Sequence, residues 1–431
     1  MVRNINNYIS NLKIKSFKGL ENVEFKNCRK LNILIGENNA GKTTILEAVR
    51  CFNKPLDYME YINILKRNPY ANFSSFSLLQ QMFNQKNHSD LVEITAEIDE
   101  KIYPLKIKKN LEKTEEKTSE EKLLELMEIL CISKLKDYRW DKEEEENDKK
   151  LKVLRKDFYD NILGFGLDIK NHVLKEKLYE LAKGVEDSTE KTLKEIRELK
   201  KSYLGKTNVI EKLNIQFSFL RKRNNLIFTE RKIENNQDEK YTEEFLKIKY
   251  SNPLDYLLDN YSNEAIDTVI KNGDKNKITE ILQMFEESVF DFNILSDGQI
   301  IVNLKNKNEE KISIGISNFG DGMKKALVLI SKLISCENGI LLIDELETGI
   351  HKDVMGKIFS YILKEAEKYN VQLFVATHSF EAIETLLKTC SENLEDISLY
   401  RLEHYQDNIY VKNFSGERAY DLVVKEGRDL R

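Results

Sequence analysis

A glycine-rich loop, Gly36-Glu37-Asn38-Asn39-Ala40-Gly41-Lys42-Thr43, constrains the fold of this chain more than any other stretch. It follows Asn32–Ile35, which reads as a short buried strand, and precedes Thr44–Val49, which reads as the first turns of a helix. The pattern therefore predicts a turn from a buried strand into a helix. Glycines let the backbone curl so that its amides face inward, and the helix N-terminus adds positive dipole. This context predicts a loop that cradles a triphosphate.

The residue types of the loop predict its contacts. Lys42 is expected to reach the β- and γ-phosphates, and the hydroxyl of Thr43 is expected to ligate Mg²⁺. ATP and Mg²⁺ are therefore the predicted cofactors. The nucleotide-binding residues expected in this loop are Gly36, Glu37, Asn38, Asn39, Ala40, Gly41, Lys42, Thr43 and Thr44.

An acidic pair far along the chain supplies the second half of such a site. Ile340–Ile343 is a continuous apolar run, as in a parallel strand buried on both faces, and Asp344 and Glu345 follow it. Asp344 is expected to hold Mg²⁺, and Glu345 is expected to polarise the attacking water as general base. The alternative is a strand that ends in two solvated acids. The long separation from the loop predicts a large insertion between the halves of one site.

A histidine follows a second apolar run. Leu373–Ala376 is followed by Thr377, His378 and Ser379. At this spacing after Asp344 and Glu345, His378 is interpreted as a sensor of the γ-phosphate that takes part in catalysis. The alternative is a structural histidine with a satisfied hydrogen bond.

Three motifs carry a resemblance to a known group of ATPases. They are G-E-N-N-A-G-K-T preceded by Ile14–Leu20, L-L-I-D-E-L-E-T-G-I-H around Asp344, and A-T-H-S at His378. Over residues 8–105 and 250–431 the chain resembles ABC-type ATPases of the RecF, Rad50 and SMC kind. Within them it is most similar to the overcoming-lysogenization-defect (OLD) type, also known as AAA15 or AAA21.

The resemblance implies an architecture and an assembly. The fold class is α/β, a P-loop NTPase head of the ABC type with mixed sheets, interrupted by an inserted helical or coiled-coil lobe. Such heads form a homodimer, head to tail, around two ATP molecules, and higher oligomers are compatible with it. The signature segment of one subunit then faces the P-loop of the other.

The segment Ser317–Met323 is the candidate signature, and an apolar-patterned helix follows it. Gly320, Asp321 and Gly322 are expected to approach the partner's γ-phosphate at a helix N-terminus. The segment departs from the Leu-Ser-Gly-Gly-Gln of transporter ATPases because Gly320 replaces the serine. The alternative is a glycine-rich turn that caps a core helix.

Two further family loops are less well matched. The glutamine loop is expected between the P-loop helix and the next strands, where Gln80, Gln81 and Gln85 are the candidates and the sequence does not choose among them. Glu347–His351 stands where the family has a loop that contacts the partner subunit, without that loop's usual aspartate.

Composition and charge narrow the class of protein. No apolar run is long enough to span a bilayer, and no signal peptide is recognised at the N-terminus, so a cytoplasmic protein without membrane contact is expected. The five cysteines are scattered without a C-x-x-C pair, which predicts reduced thiols. A net charge of −5 argues against nucleic-acid binding over the whole surface.

The chain is expected to divide at residues 105 and 252. Residues 1–105 and 253–431 are predicted to form the ATPase head, and residues 106–252 a helical or coiled-coil insertion, with apolar residues at helical spacing such as Leu174, Leu178, Leu181 and Val185. In the insertion, Arg221-Lys222-Arg223 lies near Phe217, Phe219 and Phe228. This basic-aromatic cluster is either a solvated face or a contact to a nucleic-acid backbone.

The resemblance implies an ATPase that works on another protein. The nuclease domain of the TOPRIM type, found in many OLD-type proteins, is not recognised here, so the chain is expected to regulate a separate effector, a nuclease or toxin, in anti-phage defence. The alternative is a RecF-like ATPase that binds DNA in repair or chromosome maintenance. A transporter motor is disfavoured by the long insertion and the altered signature.

Overall fold

The computed structural model describes residues 8–65, 75–84, 89–114, 189–203, 208–219, 222–229, 233–235, 244–257, 259–305, 308–406 and 408–431. The chain divides into two compact units, Met1–Asn110 with Lys212–Arg431, and Leu111–Glu211.

Along the described residues, strands and helices occur in short runs of the same type, beginning with three strands followed by three helices. The strands are β1 Ile9–Phe17, β2 Leu20–Phe25, β3 Leu31–Gly36, β4 Leu91–Ile98, β5 Lys101–Thr114, β6 Asn208–Phe219, β7 Lys222–Thr229, β8 Ile233–Asn235, β9 Ile248–Ser251, β10 Val289–Ile294, β11 Ile300–Lys305, β12 Lys311–Gly315, β13 Ile340–Asp344, β14 Gln372–Ala376, β15 Ile397–Tyr405 and β16 Asn408–Ser415. The helices are α1 Lys42–Arg50, α2 Tyr58–Leu65, α3 Ser75–Gln80, α4 Thr189–Tyr203, α5 Asp259–Lys271, α6 Lys275–Gln283, α7 Asp321–Ser335, α8 Lys352–Lys368, α9 Phe380–Thr389 and α10 Gly416–Tyr420.

A six-stranded sheet positions the site, in the order β16-β15-β3-β14-β13-β9. All its neighbours run parallel except the edge pair β15 and β16, which is antiparallel. The register places Asp344 beside Ala376 and Ala376 beside Leu34. The carboxyl ends of the parallel strands therefore meet at one edge, the place where α/β sheets bind ligands.

Alternation along the central strands divides the interior into two cores. Ile33 and Ile35 of β3 face one core, with Leu341 and Ile343 of β13, and helices α7, α8 and α9 cover it. Leu34 belongs to the other core, together with side chains of helix α1. Both faces of the sheet are covered, which explains why β3 and β13 read as continuous apolar runs.

A second sheet has seven strands in the order β2-β1-β4-β5-β6-β7-β8. Its β1–β2, β1–β4 and β4–β5 pairs are antiparallel. Apolar residues of β1 and β4 share the core that contains Leu34 and helix α1. A third sheet, β10-β11-β12, is an antiparallel meander whose buried residues join the opposite core. The mixed α/β architecture with several sheets confirms the predicted fold class.

The range predicted as a helical insertion contains strands as well as a helix. Strands β6, β7 and β8 lie in this range, and α4 is the helix described there. The strand signal was present, because Leu213, Ile215 and Phe217 alternate with polar residues at period two. Leu174, Leu178, Leu181 and Val185 lie outside the described residues, and the boundaries at 105 and 252 remain predictions.

The basic-aromatic cluster is described only through its backbone. Arg221 lies outside the described residues, and Arg223 is paired with Ser218 where β6 meets β7.

Two other expectations concern thiols and membranes. Cys28, Cys51, Cys336 and Cys390 are free thiols, and Cys131 lies outside the described residues. Among the residues that the structure describes, every helix falls short of the length and apolarity needed to traverse a bilayer.

Candidate functional site

The glycine-rich loop connects β3 to α1 in the predicted manner. Gly36 ends the strand with φ 146°, and a Cβ atom there would lie 2.7 Å from the main-chain oxygen of Leu402. Gly41 precedes the helix with φ 91°, and a Cβ atom there would lie 3.1 Å from side-chain atoms of Leu20 and Ile409. Both positions combine positive φ with close neighbours, so only glycine fits them without strain. The crown of the loop, Glu37 to Asn39, is exposed.

Lys42 is held inside this loop. Its ammonium donates to the main-chain oxygens of Gly36 at 2.7 Å and Glu37 at 2.8 Å. Burial lowers the pKa of Lys42, while Asp344, Glu345 and the nearby Glu347 act in the opposite direction. The ammonium thus stands at the loop's centre, and carboxylates of the distant acidic segment influence it.

The two halves of the site meet at Thr43 and Asp344. The Thr43 Oγ1 hydroxyl donates to Asp344 Oδ2 at 2.8 Å, across a sequence separation of 301 residues. The contact forms because β13 lies two strands from β3 in the sheet, with Asp344 at the carboxyl end of its strand. The structure therefore brings the predicted metal ligands together.

The donor set at this point fits Mg²⁺. Thr43 offers a hydroxyl oxygen and Asp344 a carboxylate, which are hard oxygen ligands of the kind that Mg²⁺ takes alongside substrate phosphates. Asp344 is buried, and burial raises the pKa of its carboxyl, whereas the hydrogen bonds from Thr43 and Tyr250 lower it. A cation beside Asp344 would offset the cost of burying its charge.

Glu345 is placed differently from its neighbour. Its side chain remains 40% exposed, and its Oε2 accepts a hydrogen bond from Thr348 Oγ1 at 3.0 Å. Its backbone has φ 50°, so the chain turns sharply after β13 and points successive carboxylates in different directions. An accessible carboxylate next to the metal ligands is compatible with a base that polarises water.

His378 lies beside this acidic turn, and its role as a γ-phosphate sensor remains a prediction. Its Nδ1 is 4.0 Å from Glu345 Oε1 and 3.3 Å from Glu347 Oε1. Its main-chain amide donates to Glu347 Oε1 at 3.2 Å. On the far side, Arg431 donates to the main-chain oxygen of His378 at 3.0 Å. Glu347 belongs to the segment predicted to contact a partner subunit. In this chain its side chain accepts the hydrogen bond from the main-chain amide of His378.

The candidate signature lies against the acidic turn of the same chain. Gly320 caps α7 at its N-terminus, and no atom of the described residues beyond its chain neighbours lies within 4 Å of the position of a Cβ. At Gly322 a Cβ atom would lie 3.0 Å from the main-chain oxygen of Gly349. Asp321 pairs with Lys324 at 3.0 Å. The contact of Gly320–Gly322 with a second subunit's nucleotide remains a prediction.

Two residues of α7 and one of β9 were missed by the sequence analysis. Lys325, only 2% exposed, donates to the main-chain oxygen of Glu345 at 2.5 Å. Lys332 is also buried, in a bond with Asp255. Tyr250 donates its hydroxyl to Asp344 Oδ2 at 3.2 Å. The sequence signal for the buried lysines was their spacing, since Lys325 and Lys332 lie seven positions apart in an apolar helix. The sequence around Tyr250 contains no comparable signal.

The glutamine-loop assignment stays a prediction. Gln80 ends α3 and Gln81 follows it, between the buried residues Leu79 and Met82. Gln85 lies outside the described residues.

Strand β9 also contributes to the edge of the sheet where the site lies. It runs parallel to β13, so that its carboxyl end at Ser251 reaches the same edge of the sheet as Asp344.

Comparison with known proteins places these features in a family. The family model of the AAA ATPase domain, AAA_15, matches residues 8–383. The uncharacterized protein MJECL11 of Methanocaldococcus jannaschii is 30% identical over 112 residues, 26% of this chain and 98% of that protein. An ATP/GTP phosphatase of Helicobacter pylori is 24% identical over 160 residues, 36% of this chain and 42% of that protein, so the chain spans less than half of that relative's length.

Among solved structures, an SMC head bound to the C-winged helix domain of ScpA is 11% identical, with 96% of this chain and 99% of that chain covered and a TM-score of 0.47. The match to the family model covers more of the chain than either relative does. It includes the glycine-rich loop, Asp344, Glu345 and His378. The chain therefore belongs to the AAA ATPase domain family AAA_15.

Proposed function

We propose that this chain binds Mg-ATP at the Gly36–Thr43 loop and hydrolyses its terminal phosphoanhydride bond. The observation that carries this proposal is the hydrogen bond from Thr43 to Asp344, which joins the loop to the distant acidic segment. Family membership supports the ATPase activity in general. The loop supplies the groups expected to bind phosphate and the segment at Asp344 supplies the acids, so the proposed activity needs both.

Each residue has a role that its position allows. Lys42 exchanges its bonds to the loop carbonyls for contacts to the β- and γ-phosphates. Thr43 and Asp344 would hold Mg²⁺, and the ion would neutralise phosphate charge when bound. Glu345 accepts a hydrogen bond from the attacking water and draws off its proton. His378 donates to the γ-phosphate from the side of Glu347. The gain in rate comes mainly from positioning and charge neutralisation.

The proposed assembly is a homodimer that closes around ATP. The N-terminus of α7 is uncrowded at Gly320, and helix N-termini favour anionic groups. The phosphate of a partner-bound nucleotide fits this chemistry. The dimer thus completes each site with Gly320, Asp321 and Gly322 of the opposite subunit.

The proposed output is control of a separate effector, a nuclease or a toxin, in anti-phage defence. Its support is the resemblance of the three motifs to OLD-type ATPases. Co-purification with the product of the neighbouring gene, with and without ATP, tests it. A complex that depends on nucleotide is the expected result, and absence of any complex in both conditions contradicts it.

The hydrolytic function is tested by phosphate release from ATP in the presence of Mg²⁺. Wild-type protein should release phosphate, and Lys42→Ala should abolish both nucleotide binding and turnover, because the ammonium at the centre of the loop is lost. Lys30→Ala is the matched control, since Lys30 stands at the opposite end of β3, in an exposed pair with Asp396. Equal turnover in wild type and Lys42→Ala would contradict the proposal.

A further inference from the structure

Tyr250 lies beside the acid that is proposed to hold the metal. Strand β9 pairs in parallel with β13, and the register sets Tyr250 opposite Leu342, two positions before Asp344. Because side chains alternate between the faces of a sheet, Tyr250 and Asp344 project to the same face. The phenol hydroxyl donates to Asp344 Oδ2 at 3.2 Å, and the Thr43 hydroxyl donates to the same oxygen at 2.8 Å. The hydroxyls of Tyr250 in β9 and Thr43 in α1 thus together fix the carboxylate of Asp344.

Buried and partly buried groups hold Tyr250 from both ends. The guanidinium of Arg50 lies 5.4 Å from the centroid of its ring, and Arg50 is itself paired with Glu60 at 2.9 Å. At the backbone, the main-chain oxygen of Tyr250 accepts a hydrogen bond from Lys332 Nζ at 2.8 Å. Lys332 also bonds with Asp255, and both residues are buried. The backbone of β9 at Tyr250 is therefore anchored to a buried ion pair, which fixes the point from which the phenol reaches Asp344.

The arrangement leaves the metal-binding capacity of the site intact. A hydroxyl has one donor hydrogen and two lone pairs, so Thr43 can keep its bond to Asp344 and still offer an oxygen to a metal. Tyr250 and Thr43 both donate to Oδ2, so the other carboxylate oxygen, Oδ1, can face the metal or its water. Hydrogen-bond partners of ligating carboxylates commonly fix their orientation and raise metal affinity.

We propose that Tyr250 is a positioning residue for a divalent cation, acting through Asp344. It holds the carboxylate at the angle that the cation and Thr43 require, and it ties this carboxylate through β9 to Lys332 of helix α7. The inference rests on the proposed Mg-ATP function and adds to it a residue that touches neither nucleotide nor phosphate.

The test compares Tyr250→Phe with Tyr361→Phe. Each substitution removes one hydroxyl that donates to a carboxylate; Tyr361 donates to Glu280 at 3.0 Å, between α8 and α6. Mn²⁺ serves as the metal probe, and its binding to the complex of the protein with a non-hydrolysable ATP analogue is followed by electron paramagnetic resonance. Affinity for the analogue is measured separately in EDTA.

Tyr250→Phe should weaken Mn²⁺ binding about tenfold or more, within the range found for partners of metal ligands, and leave affinity for the analogue in EDTA unchanged. Excess Mg²⁺ should restore its turnover. Tyr361→Phe should match wild type in both measurements. Equal Mn²⁺ affinity in Tyr250→Phe and wild type overturns the inference, as does an equal loss of metal-free nucleotide binding. Failure of wild type itself to bind Mn²⁺ with the analogue contradicts the proposed function instead.

Discussion

Lys325 of helix α7 donates from its buried ammonium to the main-chain oxygen of Glu345 at 2.5 Å. The donor belongs to the helix that begins at the candidate signature, and the acceptor is the proposed general base. Gly322, one turn earlier, lies close to the main-chain oxygen of Gly349 in the same acidic turn. Helix α7, which begins at the candidate signature, is therefore joined to the acidic turn within one subunit, so that a shift of either is transmitted to the other.

The buried ammonium predicts a pH dependence of stability. Burial lowers the pKa of Lys325 to about 8 from its ordinary 10.5, while Glu347, Glu345, Asp344 and Asp255 raise it. Below pH 8 both folded and unfolded chains carry the proton, and the cost of burying the charge is constant. Between about 8 and 10.5 the unfolded chain binds more protons, so stability should rise with pH, by about 3 kcal/mol at most.

The measurement is the urea midpoint of wild type relative to Lys325→Met at several pH values across this window. Subtraction of the variant removes the titration of other groups, such as Lys332. The difference should move in favour of wild type as pH rises. A difference that stays constant would show that Lys325 does not titrate in the folded chain as inferred.

Glu345→Gln should separate binding from hydrolysis. The amide keeps the size of the side chain but cannot take a proton from water, so turnover should fall by about 10²–10⁴-fold while ATP affinity is retained. ATP-bound dimers should accumulate and be visible by analytical ultracentrifugation. Glu337→Gln, an exposed acid just before β13, is the control and should behave as wild type. Undiminished turnover in Glu345→Gln would assign the base elsewhere.

Gly36→Ala should damage the loop more than its size suggests. An alanine Cβ would lie 2.7 Å from the main-chain oxygen of Leu402, and φ of 146° is unfavourable for any L side chain. Gly427→Ala is a matched control, because Gly427 has φ 66° but, within the part of the chain that the structure describes, its Cβ position has no neighbour within 4 Å beyond the adjacent residues. Thermal unfolding should show the larger loss for Gly36→Ala, and only this variant should lose nucleotide binding. Equal losses would mean that the close contact contributes nothing.

Gly320→Asp should affect the subunit and the dimer in opposite directions. Aspartate is a favoured N-cap, so the unfolding midpoint of the monomer should stay the same or rise slightly. The added carboxylate should repel the partner's γ-phosphate and weaken the ATP-dependent dimer about tenfold or more. Gly320→Asn, an uncharged N-cap of similar size, is the control. A dimer of unchanged strength in Gly320→Asp would show that Gly320 does not face the nucleotide.

Local motifs were sufficient to select Lys42, Thr43 and Asp344, which the structure brings together at the candidate site. Lys42 and Thr43 follow from a strand, a glycine-rich turn and a helix, and Asp344 follows from an apolar run that ends in acids. Each pattern is set by neighbours in sequence, and the parallel sheet then brings Thr43 and Asp344 together.

Residues that act through distant contacts could not be found in this way. Tyr250 reaches Asp344 because β9 pairs with β13 across 94 positions of sequence, and nothing near Tyr250 indicates that pairing. Lys325 and Lys332 resemble solvated lysines until α7 is known to be covered by the sheet. The dense charge around β6 is equally typical of a solvated helix, and pairing with β7 distinguishes the strand.

The proposed function requires the glycine-rich loop and the acidic segment at Asp344 to share one magnesium-nucleotide. A crystal structure of the protein with Mg²⁺ and a non-hydrolysable ATP analogue tests it most directly. The metal should be bound by Thr43 Oγ1 at about 2.1 Å, with Asp344 at the metal or one water away and Lys42 on the phosphates. Nucleotide bound elsewhere, or a metal out of reach of Asp344, would contradict a shared site for the loop and the acidic segment.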